Sequence, residues 1–365
     1  MKLLVNATAN DARGALALTD SFLKDMNEQV DFLKQNQIFL YVLVSNQNLE
    51  SYANNYISIL FNNYPKKSLI HKYYFEHIYL PKFIKKEKIS TYLSLQNTAI
   101  RKGPYKQIVL IHTPLPFENL SIRDTDIKSY IKYHFILRTM LKHQIKHMDQ
   151  IFTQTEWMKR SVNKLCTNEH IKVIRPSLCP VNDLCGPLPS DLERSIDLNK
   201  RIKLIYPTNV DKYKNNERLV KAVKAYNRTH DQHKVTIYLT AEGQSSPSVV
   251  YMGKVPYESM GSLYKKMNAL IFPSLTETLG LPLLEAQSIH LPILVADRAY
   301  AREICKNSAI YFNPVSIDAM IQAIEQFISQ WPKRHSQNQQ VINETKQRTD
   351  YTDYIKVIKE QVYHG

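Results

Sequence analysis

Two glutamates, Glu277 and Glu285, stand with seven residues between them in the stretch PSLTETLGLPLLEA, and a Gly280-Leu281-Pro282 step divides them. Proline suits the first turn of a helix, where its missing N–H would have no intrahelical partner anyway. Gly280 permits a tight or positive-φ turn and the close approach of a ligand. The N–H groups of Leu281, Leu283 and Leu284 would then project from a helix start, where backbone donors and the helix dipole favour an anion such as a diphosphate. Glu285 falls about one turn into that helix, where a carboxylate can accept bonds from two adjacent hydroxyls of a ribose. Glu277 lies on the other side of the step and can do the same for a second sugar. Two acids flanking an anion pocket suit a nucleotide-sugar better than free phosphate. The same residues also read as a capped helix with an acid in its first turn, and spacing alone leaves both readings open.

The elements that must position these groups are legible as a repeated alternation. KLLVNAT, IFLYVLVS, KISTYLSL, KQIVLIHT and DQIFTQT read as buried strands of the first half; RIKLIYPT, KVTIYLTA, VVYMGKV, NALIFPS, LPILVA and AIYFN do so for the second. Helical patterns such as ALALTDSFLKDM and NNERLVKAVKAYNR separate them. This alternation predicts an α/β protein built twice, as two Rossmann-like, doubly wound parallel domains facing across a cleft. The expected boundaries are an N-terminal domain over 1–178, a Pro- and Asp-rich linker over 179–198, a C-terminal domain over 199–342 and a terminal helix over 343–365, packing back toward the first domain. In such sheets ligands bind beyond the carboxyl ends of the strands. His112 occupies that position after KQIVLI, although a lone histidine is also an ordinary structural residue.

Composition narrows the class. A chain of 365 residues and 42.6 kDa, with 44% hydrophobic and 22% charged residues, is that of a globular protein of two domains. The longest apolar run, Ile38 to Val44, is strand-sized, where a membrane-spanning helix needs about 20 residues. The first residues, MKLLVNATAND, hold an apolar stretch too short for a secretory signal. The four cysteines, Cys166, Cys179, Cys185 and Cys305, have no metal-ligand spacing and are expected as reduced thiols of a cytoplasmic protein. The net charge of +15 is uneven: residues 1–177 carry 25 Lys and Arg against 14 Asp and Glu. Such a basic half suggests an anionic partner. No recognised nucleic-acid motif or basic strand interleaved with aromatics is present, so an anionic membrane surface is preferred to nucleic acid.

Around Glu277 and Glu285 the likeness to a known family is specific. FPSLTETLGLPLLEAQ resembles the signature of family 4 retaining glycosyltransferases of GT-B architecture, with its E-x7-E element, of the kind that builds bacterial polysaccharides. The likeness extends through FTQTEWMKRSV, YPTNVDKYKNNERLVKAV, YMGKVPYESMGSLYKKMNALIFPSL and ADRAYAREIC, and through YLSLQNTAI and LIHTPLPF in the first half. It implies that Glu277 holds donor-sugar hydroxyls, Glu285 the nucleotide ribose, and Lys214 the donor diphosphate. An ammonium there offsets the charge that grows on the leaving group. His112 is implied to border the donor sugar. Gly14 stands where relatives have a glycine-rich loop under the phosphates. Thr278, Leu279, Gly280, Leu281 and Val255 complete the implied donor contacts. Many relatives carry an arginine five residues before the lysine; here Asn209 stands there, which shifts diphosphate neutralisation onto Lys214 with Lys212 as helper. Arg160 and Arg175 are candidates for the cleft.

The resemblance implies sugar transfer with retention of configuration from a nucleotide-sugar, a UDP-sugar in preference to a GDP-sugar, to a hydroxyl of a glycan. It implies no cofactor; no D-x-D metal motif follows a strand in a suitable place. Residues 127–148 plot as an amphipathic helix, with Tyr130, Leu137, Leu141 and Met148 on one side and Lys128, Lys132, Lys142 and Lys146 opposite, Phe135 lying among the lysines. PKFIKKEKI (81–89) has the same character. Apolar groups within a basic face suit anionic headgroups, and an ordinary solvated helix face suits the pattern equally. A polyprenyl-diphosphate-linked acceptor at the inner face of the plasma membrane is the preferred expectation. The rival readings are a sugar-nucleotide epimerase of similar architecture and a non-catalytic scaffold that keeps the fold.

Overall fold

A computed structural model of the chain describes residues 1–11, 13–165, 170–175 and 181–334. The helix expected over 343–365 lies outside the described residues, as do the first two residues of the expected linker. The described chain divides into two compact units, 1–117 with 131–175, and 118–130 with 181–334.

The first unit holds β1 (Lys2–Asn6), β2 (Phe39–Val44), β3 (Ile57–Phe61), β4 (Thr91–Ser94), β5 (Lys106–Ile111), β6 (Gln150–Thr153) and β7 (Ile171–Val173), in the order β3-β2-β1-β4-β5-β6-β7. The second holds β8 (Ile202–Tyr206), β9 (Val235–Leu239), β10 (Val249–Tyr251), β11 (Ala269–Phe272), β12 (Ile293–Ala296) and β13 (Ile310–Phe312), in the order β10-β9-β8-β11-β12-β13. Every pairing between these strands is parallel, with Leu4 opposite Tyr41 and Ala269 opposite Leu204 as examples. Strands such as ALIF, ILVA and VTIYL are buried at every position. A parallel sheet covered on both faces requires this, and it explains why these runs are continuously apolar rather than alternating.

The sheet of the first unit is clad on one face by the helix Arg13–Glu28, whose Phe22, Leu23 and Met26 pack on Leu3, Val5 and Val42. Its other face is covered by the segment 69–87, through Phe75, Leu80 and Ile84 against Leu4, Leu43 and Tyr92. Each such aliphatic or aromatic burial contributes about 1.5–3 kcal/mol. The described part of the segment expected as a linker is folded onto the second unit. Gly186 N–H donates to the Glu258 carbonyl at 2.7 Å, and Ser259 Oγ donates to the Pro187 carbonyl at 2.8 Å. Gly261 lies so close beneath it that a Cβ would sit 2.1 Å from the Val181 carbonyl oxygen. Residues 190–198 form a helix that buries Ile196 and ties Glu193 and Asp197 to Lys266. No helix among the described residues is long and apolar enough to cross a membrane.

In each sheet successive strands leave in opposite directions from one point, between β1 and β4 and between β8 and β11. The loops following these strand pairs depart to opposite sides there, and the carboxyl edge at such a point is the usual place of the ligand crevice in doubly wound sheets.

Candidate functional site

In the second unit the β8/β11 crevice is occupied by an ion pair. Lys214 follows β8 and Glu277 follows β11, and Lys214 Nζ donates to Glu277 Oε1 at 2.5 Å. Each side chain is 15% exposed. The loop that aims Lys214 is built from short polar residues. Thr208 N–H donates to Thr240 Oγ1 at 2.8 Å, and Asn209 Oδ1 accepts the Asp211 N–H at 2.8 Å. A single 3-10 turn, Lys212–Lys214, then ends in Asn215, whose φ of 66° is left-handed. Buried Asn215 anchors this bend by donating from Nδ2 to the carbonyls of Pro273 at 3.2 Å and Pro314 at 2.6 Å. Tyr206 hydroxyl donates to the Lys214 carbonyl at 2.8 Å. Burial is the largest influence on the Lys214 ammonium and pushes its pKa down, but the carboxylate of Glu277 leads a set of opposing effects that leave it raised. The lysine is a cation, and a paired one.

After β11 the chain runs Ser274 to Gly280 and enters the helix Leu281–Ser288. Gly280 has φ 70° and ψ 61° at the N-cap, and Pro282 sits in the first turn. Leu283 N–H, expected to face an anion, instead donates to the Gly280 carbonyl at 2.9 Å. The tight first turn uses that donor internally. Leu279 is 2% exposed and packs inward, so what it offers a ligand is backbone. Thr278 and Leu281 are half-buried. Thr276 Oγ1 is buried with no hydrogen-bond partner among the described residues, an orphan hydroxyl beside Glu277.

Glu285 is 5% exposed, and its Oε2 accepts the Tyr264 hydroxyl at 2.7 Å. Burial pushes its carboxyl pKa up, against the hydrogen bonds of Tyr264 and Tyr257. Tyr264, from the helix Met260–Lys265, is itself raised well above its ordinary value by burial and by Glu285. The carboxylate is therefore held by phenol groups that the sequence did not single out. Val255 is half-buried on the loop between β10 and that helix, and Lys212 is exposed. Asn209 is half-buried with its oxygen committed to its own loop. The cavity lined by Arg201, Lys224, Arg228 and Lys234 lies before β8 and β9, at the opposite edge of this sheet.

The first unit carries its own polar cluster at the β1/β4 crevice. Asn6, which ends β1, donates from Nδ2 to the Tyr92 hydroxyl at 3.0 Å and accepts the Thr8 hydroxyl at 2.9 Å. Gln96, after β4, accepts the Ala9 N–H at 3.0 Å and donates from Nε2 to Glu76 Oε1 at 2.7 Å. Glu76 is 2% exposed, and burial pushes its pKa up. His112, after β5, has Nε2 at 3.0 Å from the Leu95 carbonyl and 3.1 Å from Asn97 Nδ2. Asn97, itself at φ 69°, accepts the His112 N–H at 2.6 Å. Burial pushes the imidazole down to about 4, so it is neutral at pH 7. Gly14 is the second residue of the helix that follows β1. Arg160 and Arg175 are both exposed.

The segment 127–148 is not one regular helix. It runs as the helix Ile127–Tyr130, a π-helical stretch Ile131–Leu137, the helix Arg138–Gln144 and a 3-10 turn Ile145–His147. The wider π turn shifts the facing of every residue after it, so a plot at 100° per residue does not carry across. Leu141, Ile145 and Met148 are buried. Lys128, Lys132, Lys142 and Lys146 are exposed, and Phe135 is 56% exposed.

With this geometry in place, residues 191–344 match the family described as Glycosyl transferases group 1. The match falls almost wholly within the second unit, covers under half of the chain, and includes the E-x7-E stretch. Among relatives, 235 residues are 26% identical to the O-antigen chain mannosyltransferase RfbU of Salmonella typhimurium, covering 59% of this chain and 63% of RfbU. The match thus spans under two thirds of that relative's length. Among solved structures, sucrose-phosphate synthase of Thermosynechococcus elongatus superposes with a TM-score of 0.69 at 11% identity, over 100% of this chain and 98% of that one. Anabaena HepE in complex with UDP-glucose gives 0.67 at 14% identity, over 100% of both chains. At such identities these likenesses establish the GT-B fold, two Rossmann-like α/β units.

Proposed function

We propose that this protein is a retaining glycosyltransferase, moving a hexose from a nucleotide-sugar to a hydroxyl of a lipid-linked glycan during surface polysaccharide assembly. The observation that carries this reading is the Lys214–Glu277 pair at the β8/β11 crevice, with the buried Glu285 one helix turn beyond Gly280. A cation suited to diphosphate and an acid suited to sugar hydroxyls stand at one ligand-binding edge. The O-antigen role stated for RfbU supports a polysaccharide acceptor, and the UDP-glucose held by HepE supports a UDP-sugar.

On this reading the donor parts the Lys214–Glu277 pair. The ammonium turns to the diphosphate, and the Glu277 carboxylate accepts sugar hydroxyls. The bond from the anomeric carbon to the diphosphate oxygen breaks while the acceptor oxygen approaches the same face, and the acceptor proton passes to the departing diphosphate. Preorganised positive charge on that leaving group is the main electrostatic contribution. No step requires a metal or a cofactor. Glu285 holds the ribose, and the backbone around Gly280 approaches the phosphates. Exposed Lys128, Lys132, Lys142 and Lys146 with Phe135 suit an anionic surface at the inner face of the plasma membrane, where a polyprenyl-diphosphate acceptor would lie.

The test is a thermal-shift panel of UDP-, GDP- and TDP-sugars in EDTA, on the wild type and on Glu285→Ala. At a hundredfold excess over Kd, binding adds about 2.7 kcal/mol. A shift with one nucleotide class, absent in the variant, is the expected result. No shift with any donor would overturn the reading in favour of a scaffold.

A further inference from the structure

The surface of the first unit carries an apolar patch outside the crevice. Residues 64–79 include Tyr64, Leu69, Ile70, Tyr73, Tyr74, Ile78 and Tyr79, seven of the eighteen exposed large hydrophobic residues described in the chain. Single exposed apolar side chains are normal, whereas a contiguous group of this size marks an interaction surface. Its geometry is set by the burial beneath it. Phe75, Leu80 and Ile84 are taken up by the sheet, which turns the opposite face of the segment outward. Ser68 caps the helix Leu69–Tyr74, its Oγ accepting the His71 N–H at 3.3 Å. Leu69, Ile70, Tyr73 and Tyr74 then fall within about 140° of one another around that helix. Leu69 and Ile70 stand furthest out, at 68% and 79% exposed.

The charge around this patch names its partner. Residues 66–88 hold seven lysines against two glutamates. Lys67, Lys82, Lys85, Lys86 and Lys88 are exposed, as is Lys66, which pairs with Asp11. Glu76 is buried, and Glu87 faces Lys2 at 3.8 Å. Exposed aliphatic and tyrosine side chains with exposed lysines in the same segment match the boundary of an anionic bilayer, where tyrosines sit at the headgroups and lysines meet anionic lipid. An acidic protein partner would not call for so many exposed aliphatic and aromatic groups beside the lysines.

We propose that the segment 64–88 is the membrane-docking element, with Leu69, Ile70 and Tyr73 entering the headgroup–acyl boundary and the lysines holding anionic headgroups. The proposal deepens the reading of a membrane-held acceptor and rests on it for its purpose. It differs from adsorption through 127–148 in its larger exposed apolar component, seven large side chains against Ile127, Ile131, Phe135 and Ile136.

The test is cosedimentation with vesicles of phosphatidylcholine, alone or with phosphatidylglycerol added, at low and high salt. It compares the wild type, Ile70→Ser/Tyr73→Ser and Lys142→Gln/Lys146→Gln. The wild type is expected to bind the anionic vesicles and to retain part of that binding at high salt. The serine variant should lose on the order of tenfold or more, with its thermal midpoint and donor-induced shift unchanged. The glutamine variant should lose part of the binding at low salt and keep the part that survives at high salt. Tyr73→Trp should show a blue-shifted emission on anionic vesicles that brominated lipid quenches. Wild-type protein that ignores anionic vesicles, or a serine variant that binds as well as wild type, would overturn the proposal. So would self-association abolished by the serine substitutions without vesicle binding, since a second copy would then be the occupant. Vesicle binding without any donor shift would leave the docking standing and remove the glycosyl-transfer reading. A donor shift without vesicle binding would do the reverse.

Discussion

Lys214 and Glu277, 63 residues apart in the chain, form one 2.5 Å ion pair at the point where the strand order of the second sheet reverses. The pair keeps two mostly buried charges satisfied, and on the proposed reading these are the charges that a nucleotide-sugar would separate.

Breaking the pair from one side leaves the other charge half-buried without its partner. Glu277→Ala is expected to cost about 1–3 kcal/mol in denaturant unfolding, and Lys214→Met/Glu277→Ala less than the two single losses together. Each single variant should lower transfer about a hundredfold or more. The raised Lys214 pKa has a defined sign: the pairing stabilises throughout neutral pH and is lost only as pH rises beyond the ordinary lysine value of about 10.4. A coupling energy near zero in the double-mutant cycle would remove this account.

Glu285 presents the opposite trade. Its carboxyl pKa is raised by burial, so the folded state favours the protonated form and stability falls as pH rises from the ordinary glutamate value, about 4.3, through the raised one. Glu285→Gln keeps the shape and an acceptor for the Tyr264 hydroxyl. The variant is expected to match or exceed wild-type thermal stability at pH 7 while losing donor-induced stabilisation. Tyr264→Phe should cost about 1–2 kcal/mol and weaken the donor shift through the carboxylate it no longer holds. Differential scanning calorimetry with and without donor separates the two.

For His112 the window lies on the acid side. The unfolded chain takes up a proton near pH 6.5, and the folded chain only near about 4. Between these values the unfolded state binds more protons, so stability falls as pH drops. Urea midpoints measured across this window should show a smaller slope in His112→Gln than in wild type. Equal slopes would mean that the imidazole titrates freely.

At Gly280 the backbone excludes a side chain on two counts. The φ of 70° is left-handed, and an added Cβ would sit 3.1 Å from Leu283 Cδ1. Gly280→Ala is expected to cost about 1–2 kcal/mol and to displace the first turn of the helix that carries Glu285. Donor binding should weaken more than stability suggests, which paired thermal and donor titrations would show.

Much of the scaffold was legible because parallel strands buried on both faces must be continuously apolar, as IFLYVLV and ALIF are. β3 and β7 escaped that reading. In β3 only Ile57 of ISILF is fully buried, since it closes the sheet at an edge, and β7 spans three residues at the other edge. The segment read as a linker is rich in proline because it bends sharply, yet it lies folded on the helix Met260–Lys265. Proline and aspartate report chain direction, and packing is a separate matter.

By itself the sequence determined what depends on neighbours in the chain: the strand and helix alternation, the turn at Gly280 and the spacing of Glu277 and Glu285. Only the tertiary structure decided what depends on crossovers between distant strands. It paired Lys214 with Glu277, set Tyr264 on Glu285 across 21 residues, and buried Glu76 against Gln96. It also turned Leu69, Ile70 and Tyr73 outward, because the inner face of their segment was already filled by Phe75, Leu80 and Ile84. Local preferences act over a few residues, whereas the partner of a buried charge and the outward face of a helix are settled by which surfaces the sheet brings together.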